Sequence, residues 1–259
     1  LDESEATGNQ RYKDSVFSCY NQVNERIFME YLEFERILSA KRMQRYKDAA
    51  NGDTRNTMAL YRYNLRLSQE MFTIVSCFEV ALRNAIDSLL MPTLGENWLK
   101  DSIQDNGIFS NGRMNDTRKI IEKAYNRLNR QGIYSHSKLI AEMEFGVWKY
   151  MYSSLQYRAT GQCLLRAFPN KPRSSAAIQY NNTYIFNELD KVNSLRNRIA
   201  HHEPICFRLH TSEIDTSYII NEYQKIQTLF SWMGIDSHSM LYGLDHVQSV
   251  CAKINSLKG

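Results

Sequence analysis

What most constrains this chain is its shortage of residues that break helices. Glycine and proline number 11 and 4 in 259 residues. Average usage, roughly 7% and 5%, would supply about twice as many. Sandwiches, barrels and loop-rich disulfide scaffolds all need such residues for tight turns, so long helices are favoured over them. With 43% hydrophobic residues there is enough apolar material for a core, which excludes a disordered chain.

Apolar periodicity predicts helices over residues 23–49, 54–90, 113–130, 137–157, 174–202, 212–233 and 238–257. The run NGDT at 51–54 is a turn that carries its own cap, and Pro92 with Gly95 closes the longest helix. Residues 91–112 read as a loop holding Trp98. Residues 1–22 read as a flexible N-terminal segment, and 23–259 as one α-helical domain. The five cysteines are odd in number and spread without a CxxC pair, which points to reduced thiols in a cytoplasmic protein. The longest nearly uncharged run, Met71 to Leu82, falls short of the ~20 residues that span a bilayer, so no membrane partner is expected. A net charge of +4 and a pI of about 8.7 suit a localised basic site better than a surface that coats nucleic acid.

Three features depart from a plain helical pattern. Glu79 falls inside the stripe Phe72, Val75, Leu82, Ile86, Leu89. A carboxylate there needs a partner, and Arg83 is one turn on. It is either a structural ion pair or, with Arg83 and Asn84, a polar shell under a site. Arg196 falls within the apolar arc Ile185, Leu189, Val192, Leu195, Ile199, where a guanidinium must meet a carboxylate, a second subunit or a phosphate. The third feature is the run Arg196 to Pro204, RNRIAHHEP. Pro204 ends the helix near His201 and His202, where the negative helix end attracts positive charge and suits a general acid. Asn197, four residues before His201, is spaced to orient its ring, and Arg196 and Arg198 bring charge for an anion. A helix end capped by basic residues is the structural alternative.

Other chemistry finds less support. His201, His202, Cys206 and His210 are zinc-type donors, but their spacing follows no zinc pattern. GxGxxG, GxxxxGK[ST], GxSxG and HExxH are all absent. Tyr61 and Tyr63, beside Arg62 and Arg66, are spaced to stack bases but fit a solvated helix face better. Trp148 reads as core.

Four blocks in order resemble the Abi-like (abortive infection) proteins of the HEPN superfamily. They are LSAKRMQRYKDAANGD with ALYRYNLRLS (38–68), FEVALRNAI (78–86), EFGVWKY (144–150) and RNRIAHHEPI (196–205), the last resembling that family's RNxxxH signature. Together they cover about residues 36–206. The resemblance implies an all-α, HEPN-like helical bundle with additional N- and C-terminal helices. It implies a homodimer whose two RNxxxH motifs meet at a shared cleft. It further implies a metal-independent endoribonuclease of phage defence or toxin–antitoxin type, cleaving single-stranded RNA without a cofactor. By that likeness Arg196 and His201 are the catalytic pair, supported by Asn197. Glu79, Arg83 and Asn84 follow as second-tier residues. A looser spacing admits His202 in place of His201. An antitoxin or a non-coding RNA is the further partner implied. The alternative is a non-catalytic module that binds RNA or protein with the same groups.

Overall fold

The computed structural model describes residues 29–258, so the segment 1–22 and Cys19 lie outside it. The described residues form twelve α-helices and no strand; an isolated bridge joins Phe207 and Ile214. The chain runs α1 (Tyr31–Leu38), α2 (Ala40–Ala49), α3 (Thr54–Leu94), α4 (Trp98–Asp101), α5 (Asn115–Arg130) and α6 (His136–Glu142). It continues through α7 (Phe145–Tyr150), α8 (Ser154–Ala159), α9 (Asn182–Ala200), α10 (Ser217–Trp232), α11 (Ser237–Met240) and α12 (Val247–Asn255). The all-α expectation holds.

Helix α3 organises the molecule. Its first turn is capped by Asp53, whose Oδ1 accepts from Asn56 N at 2.8 Å. Leu60, Asn64, Leu67, Met71, Ile74, Phe78, Leu82, Ile86 and Leu90 are buried along it at steps of three and four. Pro92 is accommodated in its last turn, where one missing N–H costs a single bond, and Gly95 at φ +91° ends it. Helices α9, α10 and α12 lie against α3, with α9 on α10 and α10 on α12. The whole stripe predicted for α9, from Ile185 to Ile199, is buried. The α3 stripe needs correction. Phe72 is exposed, and the buried line runs through Met71, Ile74 and Phe78, so Glu79 sits at its half-buried edge.

Three predicted helices are divided. Residues 31–49 bend at Ser39, φ +76°, into α1 and α2, both of which pack on α3. The 137–157 stretch becomes α6, α7 and α8. The 238–257 stretch becomes α11 and α12, parted at Gly243 with φ +74°. The expected 91–112 loop contains α4, whose Trp98 is buried and donates Nε1–H to Asp87 at 2.7 Å. Tyr61 is core rather than a stacking surface, packed edge-on against Phe34 and Tyr46. Trp148 is core, as expected.

Candidate functional site

Helix α9 ends as its sequence requires, because Pro204 bars helix from the residue before it. The end is a Schellman turn. His202 N donates to Ile199 O at 3.0 Å and Glu203 N to Arg198 O at 2.9 Å. That geometry puts His202 in the left-handed region at φ +55°, a position usually held by glycine. The segment beyond is pinned from α3, since the buried Asn64 side chain accepts from Ile205 N at 2.9 Å.

The turn faces α2. Between them lies an open cavity of about 420 Å³, lined by Lys41, Arg42, Arg45, His201, His202 and Glu203 among others. Both histidines are exposed. Arg42 donates from Nη1 to His202 O at 2.9 Å, which ties α2 to the turn. Arg45 is committed to the carbonyls of Arg208 and Thr211, and its guanidinium lies 4.6 Å from the Phe207 ring centre. Lys41 closes no ion pair within 4 Å among the described residues. The sequence reading did not single out Lys41 and Arg42. Their signal was the basic run KRMQR, and only the packing of α2 beside the α9 terminus gives it meaning.

The remaining candidates separate. Arg198 serves the fold: its Nε donates to Glu203 at 3.2 Å, its Nη2 to Pro204 O at 3.0 Å, and its guanidinium lies 5.1 Å from the Tyr218 ring centre. Asn197 does not orient His201 through its side chain, whose Oδ1 instead lies 3.5 Å from Arg196 Nη1. Arg196 is half-buried and does not line the histidine cavity. Five residues at ~100° each carry it about 140° round the helix from His201. It lies instead near Glu79. Burial holds the Glu79 carboxyl above its ordinary pKa, while Arg196 and Arg83 draw it down and Glu144 pushes it up. Among the described residues none of these groups closes an ion pair with Glu79 within 4 Å.

Arg83 and Asn84 line another cavity of about 500 Å³, with Asp87 and His136. There Asp87 Oδ1 accepts from both Trp98 and His136, the latter at 2.8 Å. This Asp87–His136 pair was also missed, because its members lie 49 residues apart. The zinc-type donors do not converge. Cys206 is buried, its thiol pushed up to about 12 by desolvation, while His201, His202 and His210 are exposed.

Residues 22–206 match the sequence profile of the family described as Abi-like protein. The chain belongs to that family. No curated protein and no solved structure matches it. The family match spans α1 to α9 and both cavities, and it stops before α10. Membership suggests a part in abortive infection for this Abi-like chain. No helix among its described residues is long and apolar enough to cross a membrane.

Proposed function

We propose that this Abi-like chain is an endoribonuclease of the HEPN type, cutting single-stranded RNA in abortive infection or a toxin–antitoxin pair. The observation that carries the reading is the cavity at the end of α9. Two imidazoles and three cations from a neighbouring helix, Lys41, Arg42 and Arg45, meet there in one open space.

In this mechanism one imidazole takes the proton of a ribose 2′-OH. The freed oxygen attacks the adjacent phosphorus, and the second imidazole protonates the departing 5′ oxygen. The bond from phosphorus to O2′ forms as the bond to O5′ breaks, leaving a 2′,3′-cyclic phosphate and a 5′-hydroxyl. Lys41 and Arg42 balance the charge that accumulates on the phosphoryl oxygens. The nucleophile belongs to the substrate, so no ion is needed to generate one, and DNA is not cut. Arg196 leaves α9 on another side, so it joins the reaction from a second copy at a shared cleft. The same geometry favours a second reading, a module that binds RNA without cutting it, because within one chain Arg196 is outside the cavity and Asn197 does not hold His201.

The test is cleavage of labelled single-stranded RNA in EDTA, with the product ends identified. Wild type cuts and leaves cyclic phosphate, and His201→Ala loses at least about 100-fold. Arg196→Ala is impaired as well. Undiminished cutting by both variants sinks the mechanism, and dependence on a divalent ion sinks its metal-free part. RNA that is bound and never cut selects the binding module.

A further inference from the structure

A second charged surface lies between α5 and α7, its walls carrying four cations beside the carboxylates of Asp116, Glu142 and Glu144. Two adjoining cavities, about 410 Å³ and 190 Å³, run between α5 and α7 and share Ile120, Val147 and Tyr150 in their walls. They form one groove. Lys123, Arg127 and Arg130 line its α5 edge, and Lys119 stands one turn before them; all four are exposed at steps of four, four and three, in line on one helix face. The line is about 16 Å long at 1.5 Å per residue. Arg127 is paired with Glu142. Lys119, Lys123 and Arg130 close no ion pair within 4 Å among the described residues.

The opposite wall carries an aromatic platform. Tyr150 is 48% exposed, a large fraction for a ring that lines two cavities. It is also held in place. Lys149 Nζ lies 4.5 Å from its ring centre and the Phe186 ring 5.7 Å away, while the buried Lys149 is itself fixed by Asp190 at 2.7 Å. A held, half-open aromatic ring that shares a groove with the unpaired cations Lys123 and Arg130 is a pattern that binds single strands, with bases stacked and phosphates matched to charge.

We infer that the α5–α7 groove is a binding track for single-stranded RNA, with Tyr150 stacking a base and Lys119, Lys123 and Arg130 holding phosphates. The inference rests on the nuclease reading for its choice of RNA, and it names where the strand lies outside the cleavage site. The groove also leads somewhere. Glu144 lines it and lies close enough to Glu79 to act on its charge, and Glu79 in turn feels Arg196. One wall of the groove thus neighbours the region of Glu79 and Arg196. Contacts to phosphate and base alone do not use the 2′-OH, so the track holds DNA too, although the site does not cut it.

The experiment is fluorescence anisotropy of a short labelled oligouridine with the full chain, across a salt series. His201→Ala is the background, so that the strand survives. Lys123→Gln/Arg130→Gln removes two phosphate contacts. At ~0.7 per contact it flattens the slope of log affinity against log salt by about 1.4. Tyr150→Ala weakens binding at least about fivefold, and Tyr150→Phe leaves it unchanged. Single-stranded DNA of equal length binds comparably. Circular dichroism melts check that each variant is folded.

Unchanged affinity and slope in the groove variants, with loss confined to Lys41→Gln, overturns the track and leaves the nuclease reading standing. Binding that depends on the groove, by a wild type that cuts nothing, does the reverse. Absence of RNA binding by every form overturns the track.

Discussion

His202 carries two demands at one position. Its backbone is left-handed, which costs a non-glycine residue about 1 kcal/mol, and its side chain faces a cavity of cations. The two demands can be parted by substitution. His202→Gly is expected to melt above His202→Ala by the equivalent of about 1 kcal/mol, because glycine relieves the strain and alanine does not. Both variants lose cleavage if the imidazole transfers a proton. Thermal unfolding beside the cleavage assay separates these effects, and equal melting of the two variants would refute the strain argument. Glu79 makes a different prediction. Its carboxyl is held above its ordinary pKa by burial, so the neutral form suits the fold. Stability from that preference is full below the unfolded pKa of about 4.3 and is lost as pH rises through the higher folded value. Glu79→Gln is therefore expected to melt higher than wild type at pH 7 and to match it in acid. A gain that persists unchanged in acid would show that ionisation is not the cause. Glu79 and Arg196 stood out in the sequence because each interrupts an apolar period. Lys41 and Arg42 did not, because cations on a polar helix look like ordinary solvated residues until a neighbour is placed beside them.

At the scale of elements, long periodic segments were legible and their interruptions were not. Helix α9 buries the five residues its spacing marked, because one helix face against one core leaves little choice. The bend at Ser39 was hidden. Nothing local demands a positive φ there. The demand comes from α1 and α2 both reaching α3, so that Phe34 and Tyr46 can each meet the Tyr61 ring, at 5.5 Å and 5.1 Å. The 137–157 segment broke for a similar reason. Leu139, Ile140, Phe145, Val147, Trp148, Met151 and Tyr152 are all buried, and one straight helix has no single face wide enough for them. The turn ending α9 was legible through Pro204, whereas the particular left-handed residue within it was not.

At the scale of the molecule, α3 leaves apolar side chains partly open to solvent among the described residues. Leu65, Phe72 and Val80 are 46%, 47% and 40% exposed on the helix that carries Glu79. A second copy meeting the chain on this surface would bring the Glu79–Arg196 region of each protomer close to the shared axis, which the composite cleavage site needs. Light scattering is expected to give twice the chain mass, and Phe72→Glu to give a folded monomer that no longer cuts RNA. A monomer that cuts at full rate would remove the dimer from the mechanism. Fold class followed from the sequence alone, since few breakers and sustained three-four periodicity admit little except helices. The family was also legible there, because four short motif blocks occur in order along most of the matched span 22–206. Only the tertiary structure decided which of those residues share a space. It set His201 and His202 against α2, turned Arg196 toward Glu79, and moved Arg83 and Asn84 to a cavity with Asp87 and His136. The reason is geometric. Periodicity is a property of one helix about its own axis, while a site depends on how separate axes are placed, and that is set by packing between segments far apart in the chain.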